Sequence, residues 1–150
     1  VFNMSILDPM LAMMAWSGLI VAILLMTRIP VVIKQWGNLQ FAKHSDELRP
    51  KMSQKFRYIT DNYNHIFEQP TLFYAVLIYI QLADTANQTN ISFAWAYVFL
   101  RVVHSSIQLT SNNVSWRAAS FATSSLILMA IISMEVVATL QPDNLGTTGE

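Results

Sequence analysis

The residues best suited to chemistry lie in one stretch, residues 57–74, which begins polar and ends apolar. Four of its polar side chains follow the spacing i, i+4, i+8 and i+11, which puts them on one helical face: Arg57, Asp61, His65 (or its neighbour Asn64) and Glu68. The run after Pro70 is apolar enough to enter a membrane. Ionisable groups next to hydrocarbon are costly unless they bind or pair with something. This face is therefore the first candidate for a functional site.

A second polar group lies further along the chain. Arg101, His104 and Gln108 follow the spacing i, i+3, i+7 within an apolar segment, and Arg117 begins the next one. Glu68 inside a helix bundle needs a cation or a ligand, and the two arginines are available cations. Glu68 and Arg101 thus have two interpretations, ligand binding or a structural ion pair. Arg117 is either an interface anchor or the binder of a thiolate or phosphate.

The histidines raise the question of a metal. His65 and His104 on two membrane helices could ligate a haem. Both lie among side chains that offer hydrogen bonds, so we expect no metal, and Asp61 is suitably spaced to pair with His65. His44 falls in a basic link and is expected to be solvated. The chain has no cysteine, which excludes a thiolate metal site and a cysteine nucleophile.

Composition defines the elements that must position these residues. The 150 residues are 53% hydrophobic and only 12% charged, against about 25% charged in typical soluble domains. This predicts one integral membrane domain over residues 1–150, embedded in the lipid bilayer. The net charge of zero gives no nucleic-acid footprint. Four apolar segments predict an all-α, four-helix transmembrane bundle, with helices over about 6–33, 53–84, 91–109 and 116–140.

Local signals refine the helix ends. Asp8 is the expected N-cap of the first helix, and Pro30 marks its far end. Pro70 should kink the second helix and free the carbonyl of Ile66. No Lys or Arg precedes Arg28, so we expect the first run to span the membrane rather than to be a cleaved signal.

Two further pairs of residues carry expectations about packing and exposure. Ser120 and Ser124 form a small-xxx-small pair, which favours close helix contact within or between subunits. Asp84 and Glu135 lie near helix ends and are expected to reach water.

The basic residues predict the topology. Seven of the nine lie in or beside the link between the first two segments, and Arg117 follows the third link. The positive-inside rule places both links in the cytoplasm and both termini outside. In that arrangement the polar residues near Glu68, Arg101 and Arg117 reach the same depth. They therefore predict one polar site near the cytoplasmic leaflet.

Two stretches resemble a known family. DNYNHIFEQPTLFYAV (61–76) is similar to the second-helix signature of the MAPEG superfamily, the membrane-associated proteins of eicosanoid and glutathione metabolism. RVVHSSIQLTSNNVSWR (101–117) resembles the third helix, turn and fourth-helix start of its bacterial branch. The resemblance implies four transmembrane helices, a homotrimer, location in a bacterial inner membrane, and glutathione as cofactor, bound between subunits.

The resemblance also implies residue roles. Glu68 matches the acidic residue that holds the glutathione amine, Arg117 is the nearest match to the arginine that stabilises the thiolate, and Arg101 matches a third-helix arginine. His104 stands where some members have tyrosine. Asp61 and His65 depart from the family pattern, which has arginine and asparagine there, and Arg57 is the candidate to replace that arginine.

Two functions follow from these patterns. One is a glutathione-dependent transferase or peroxidase acting on a lipophilic electrophile, with Arg117 as the catalytic residue. Its ligand-binding residues would be Glu68, His65, Arg101, His104 and Arg57. The alternative is a non-catalytic membrane scaffold, or an accessory subunit of a larger membrane complex, that retains the fold.

Overall fold

The computed structural model of the chain describes residues 5–37 and 52–140, and these residues form helices without any strand. The helices are α1 (Leu7–Trp36), α2 (Gln54–Glu68), α3 (Pro70–Ala83), α4 (Gln88–Leu109) and α5 (Val114–Leu140). Only Gln69 separates α2 from α3, so the two form one interrupted rod. The predicted all-α four-helix membrane bundle is confirmed. The expectations for the basic first link and for the C-terminal tail lie outside the described residues, apart from the ends of that link.

If α2 and α3 are counted as one, the described residues form four long helical segments. Three of these are long and apolar enough to cross a membrane: Leu7–Lys34, Gln54–Ala83 and Val114–Leu140. The fourth, α4, is less apolar because it carries several polar residues on its buried face, among them Arg101, His104 and Gln108. Its 22 residues extend over about 33 Å at ~1.5 Å per residue, which covers a hydrocarbon core of ~30 Å. We therefore treat α4 as the fourth spanning helix, with its polar face turned towards its neighbours.

The apolar core lies where α1, α3, α4 and α5 meet. Phe73 of α3 and Tyr97 of α4 are both fully buried, and their rings stack with centroids 4.3 Å apart. Met13 and Ile20 of α1 belong to the same cluster. The outer surface instead exposes large apolar side chains, such as Met26 at 75%. An apolar exterior around a packed interior is what contact with lipid requires.

The ends of α1 differ from the prediction. Ile6, not Asp8, precedes the helix, and the Asp8 carboxylate reaches back to accept the backbone N–H of Ser5 at 2.8 Å. The helix also continues past Pro30 and the predicted end near residue 33 to Trp36, and the next residue, Gly37, has a left-handed φ of 71°. A proline interrupts one hydrogen bond, but lipid-embedded helices tolerate this when their neighbours pack well.

The interruption between α2 and α3 falls where Pro70 predicts it. Pro70 occupies the first turn of α3, and the N–H of Leu72 donates to the carbonyl of Gln69 at 3.2 Å. The carbonyl of His65, in the last turn of α2, accepts a bond from Arg101 of α4. That Pro70 frees the carbonyl of Ile66 stays a prediction.

The small-residue face of α5 packs against α4 within the same chain. Ser124 is fully buried there, and Ser120 lies 3.4 Å from the imidazole of His104. We expect Ser124→Leu to lower the free energy of unfolding in detergent by about 1–3 kcal/mol, because the extra carbons have no space in a packed seam. Thr123→Leu, on the exposed neighbouring position, should change it by less than about 0.5 kcal/mol. Equal effects of the two substitutions would contradict this packing.

Candidate functional site

Two cavities meet where the last turn of α2 faces the start of α5. One has a volume of about 250 Å³ and is bordered by His65, Glu68, His104, Val114, Arg117, Ala118 and Phe121. The other, of about 370 Å³, is bordered by Asp61, Asn64, His65, Glu68, Gln108 and Arg117. Three residues, His65, Glu68 and Arg117, border both cavities. The structure thus brings together residues that the sequence places on three different helices.

The two cavities differ in chemical character. The smaller one has a wall of Val114, Ala118 and Phe121, so it can accept an apolar group. The larger one is bordered entirely by polar or charged side chains. The combined site is amphipathic, with its ionisable groups at the junction. It therefore suits a ligand, or a pair of ligands, with one polar and one apolar part.

Glu68 is the last residue of α2 and its side chain is 68% exposed. His65 Nδ1 lies 3.3 Å from Glu68 Oε2, one helical turn away. Within the described residues Glu68 forms no ion pair with an arginine, so the structural Glu–Arg pair considered from the sequence is not observed. An exposed carboxylate at a cavity junction remains accessible to a cationic group of a ligand.

Arg117 is held by the turn that joins α4 to α5. Its Nη1 donates to the side-chain oxygen of Asn112, whose φ of 47° is left-handed. The next residue, Asn113, accepts the backbone N–H groups of Ser115 and Trp116 and thereby caps α5. This turn fixes the guanidinium beside both cavities while leaving further N–H groups able to donate.

Arg101 lies behind the site rather than in its wall. It is 1% exposed, and it donates to the carbonyl oxygen of His65 at 3.0 Å and to Gln69 Oε1 at 3.3 Å. Gln69 in turn donates to Ser125 Oγ of α5. His65 and Gln69 flank Glu68, so Arg101 anchors the turn that carries this carboxylate.

The charge of Arg101 has no close counter-ion among the described residues. No carboxylate of residues 5–37 or 52–140 forms an ion pair with it. The guanidinium also lies over the Phe121 ring, 5.7 Å from its centroid.

His104 borders the smaller cavity from α4. Its Nδ1 lies 3.0 Å from the carbonyl oxygen of Arg117, to which an Nδ1–H donates. Its Nε2 is buried and has no partner among the described residues. The same is true of the side-chain oxygen of Gln108, which borders the larger cavity. The part of the chain that the structure describes holds no cluster of three metal-ligating side chains.

The remaining residues predicted from the sequence lie at different distances from the site. Asp61 borders the larger cavity, whereas Arg57 is exposed near the start of α2 and borders neither cavity. Sequence reasoning named Asn64 as an alternative to His65, but it missed Phe121 and the arginine-holding Asn112. Phe121 follows Arg117 by one helical turn, so helical spacing could have found it. The role of Asn112 depends on a backbone conformation that no spacing indicates.

These features define a polytopic α-helical membrane protein with an amphipathic site at one end of its bundle. The model of the MAPEG family matches residues 10–136. The chain therefore belongs to the MAPEG family. No curated protein and no solved structure matches it at a significant level.

Proposed function

We propose that this protein is a glutathione-dependent transferase or peroxidase that acts on lipophilic electrophiles. One observation carries the proposal: Glu68 and Arg117 border the same two cavities, one polar and one partly apolar. Family membership supports it, because the family's enzymes act on such substrates in membranes.

The charges of the site suit the groups of glutathione. Its ammonium group would pair with Glu68, and its thiol would lie against Arg117 at the junction. The electrophile would enter the apolar cavity beside Phe121. A substrate that dissolves in the bilayer can reach such a site without crossing water.

The residues then define the chemical steps of a transferase. The thiol of glutathione loses its proton to water, and the Arg117 guanidinium stabilises the resulting thiolate. The sulfur attacks the electrophilic carbon and forms a C–S bond. The electron pair of the broken bond leaves with the displaced group, or the adduct takes a proton from water when nothing is displaced.

The second candidate is a scaffold or accessory subunit without catalytic activity. It is favoured by the partners that the charged groups already have, since His65 lies against Glu68 and Asn112 binds Arg117. If these contacts persist in the membrane, they compete with a ligand. The two candidates differ in whether glutathione binds at all.

Orientation and assembly belong to the same proposal. The end of α1 and the start of α2 pack together through Val32, Met52 and Phe56, so Lys34 and Lys55 lie at the same end of the bundle. The positive-inside rule then favours the cytoplasm for this end, with both termini outside. We further propose a homotrimer in a bacterial inner membrane, in which a neighbouring subunit completes the glutathione site.

Glu68→Gln tests the proposed function most directly. The substitution keeps the shape of the side chain but removes the charge that binds the ammonium group. A hydrogen bond to a charged group contributes about 1.5–3 kcal/mol, so the Kd for glutathione should rise roughly 10- to 100-fold. Isothermal titration of the detergent-solubilised protein measures this. Asp84→Asn, at the opposite end of the rod, should leave the Kd unchanged.

The wild-type titration also separates the two candidate functions. Absence of glutathione binding at millimolar concentration, together with an unchanged thermal midpoint, would exclude the enzyme and favour the scaffold. Binding that Glu68→Gln does not weaken would leave glutathione as the ligand but remove Glu68 from its site.

A further inference from the structure

A second buried polar cluster lies at the end of the bundle opposite the candidate site. Glu135 of α5, Thr85 of the link between α3 and α4, and Asn90 of α4 meet there. Glu135 was expected to reach water, but it is only 5% exposed. The expectation is wrong because the link folds over the carboxylate and covers it.

The Glu135 carboxylate is surrounded by neutral donors only. Asn90 Nδ2 donates to Oε1 and Thr85 Oγ1 to Oε2, each at 2.7 Å. Among the described residues no Lys, Arg or His forms an ion pair with this carboxylate. Asp84, which directly precedes Thr85 in the chain, adds another negative charge. The C-terminus of α3 and the N-terminus of α4 both lie here, so their opposite dipoles offset each other. A buried carboxylate without a counter-charge is costly.

A second observation concerns Asn90. Asn90 is 1% exposed, and its side-chain oxygen has no hydrogen-bond partner among the described residues. This oxygen belongs to the same amide group that donates to Glu135. The Asn90 oxygen and the Glu135 carboxylate are both acceptors, so neither can stabilise the other. A cation bound between these two groups would interact favourably with both.

We propose that Glu135, Asn90 and Thr85 form a binding site for a monovalent cation of the sodium or potassium type. The ligands are hard oxygens, which favour such ions over transition metals. The site offers a single carboxylate, so its charge balances one positive charge and not two. Thr85 is only half-buried and its chain neighbours are exposed, which gives the ion a short path from water.

The bound ion would join three elements. It would hold α5 to the start of α4 and to the link after α3, and so stabilise the end of the bundle that lacks the basic residues. The proposal is independent of glutathione binding, because the site lies at the opposite end of the helices.

Thermal unfolding of the full chain in a neutral detergent tests the proposal. Midpoints are compared in NaCl, KCl and choline chloride at equal ionic strength. We expect a saturable rise in sodium or potassium, of about 3–6 °C at ten times the Kd, and none in choline. Glu135→Gln should abolish the response, and Thr85→Val should shift it to several-fold higher salt. Asp84→Asn, an exposed carboxylate at the same end, should retain it.

Two results would overturn the proposal. One is an equal midpoint in all three salts, which would leave Glu135 with its two hydrogen bonds alone. The other is a cation response that Glu135→Gln and Thr85→Val both retain, which would place the ion elsewhere. If Glu135→Gln fails to fold, the wild-type salt comparison and Thr85→Val still decide the matter.

Discussion

Arg117→Ala should lower the rate of glutathione conjugation at pH 7 by about tenfold while leaving the rate near pH 9 almost unchanged. A thiol with an ordinary pKa of about 8.5 is only ~3% ionised at pH 7. An adjacent guanidinium lowers that pKa by roughly 1–3 units, so in the wild-type protein about a quarter to nearly all of the bound thiol would be thiolate at pH 7. The lost ionisation is about 8- to 30-fold, partly offset because a more basic thiolate is a better nucleophile.

The direction of the pH effect follows from the sign of the charge. A cation stabilises the thiolate, so activity persists down to the depressed pKa and is lost below it. Without Arg117 the midpoint of the pH–rate profile should move up by about 1–3 pH units, towards the ordinary thiol value. Steady-state rates between pH 5.5 and 9.5 would show this shift, and the ultraviolet absorbance of bound thiolate should follow it.

Two further variants make the Arg117 result specific. Arg117→Lys keeps the positive charge and should keep a midpoint near the wild-type value, with a raised KM because the bond to Asn112 is altered. Lys34→Gln removes a distant exposed charge and should change neither quantity. An unmoved midpoint in Arg117→Ala would mean that this arginine does not act on the thiol.

The fold could be predicted because it depends on quantities that a sequence displays directly. Hydrophobic length gives the number of helices, whereas the orientation inferred from the basic residues stays a prediction. Helix α4 could be included despite its polar residues because Arg101, His104 and Gln108 fall on one face. The extension of α1 beyond residue 33 to Trp36 could not be predicted, since it depends on how the neighbouring helices pack.

The candidate site could be predicted in part. Helical spacing joined Glu68 to His65, and the order of the helices brought Arg117 to the same level. Spacing indicates a face but not a depth, so it did not reveal that Arg101 lies behind the site. That depth depends on the interruption at Gln69, which turns the His65 carbonyl towards the guanidinium.

The buried cluster around Glu135 escaped prediction for a different reason. Its partners, Thr85 and Asn90, lie 50 and 45 residues away in the chain. A carboxylate near a helix end ordinarily reaches water, and only the path of the α3–α4 link reverses this. Contacts of this kind depend on tertiary packing, which no local pattern contains.

Arg101→Lys should destabilise the protein more than Arg101→Met, although lysine is the more similar residue. Lysine keeps a buried charge and its desolvation cost, but one ammonium group cannot satisfy both His65 and Gln69 as the guanidinium fork does. We expect a loss of about 2–4 kcal/mol in the free energy of unfolding. Methionine removes the charge and therefore also its desolvation cost. The unpaired acceptors of His65 and Gln69 then cost about 1–3 kcal/mol, and the relieved desolvation offsets part of this loss.

The order of the two variants decides what balances the charge of Arg101. If a buried carboxylate formed its partner, methionine would leave that carboxylate unpaired and cost about 3–5 kcal/mol, while lysine would be tolerated. The observed neutral partners predict the opposite order, measured by thermal unfolding in detergent, with Lys55→Met as an exposed control. Both Arg101 variants should also weaken glutathione binding, because the turn that carries Glu68 loses its anchor. Unchanged binding in both would limit Arg101 to a structural role.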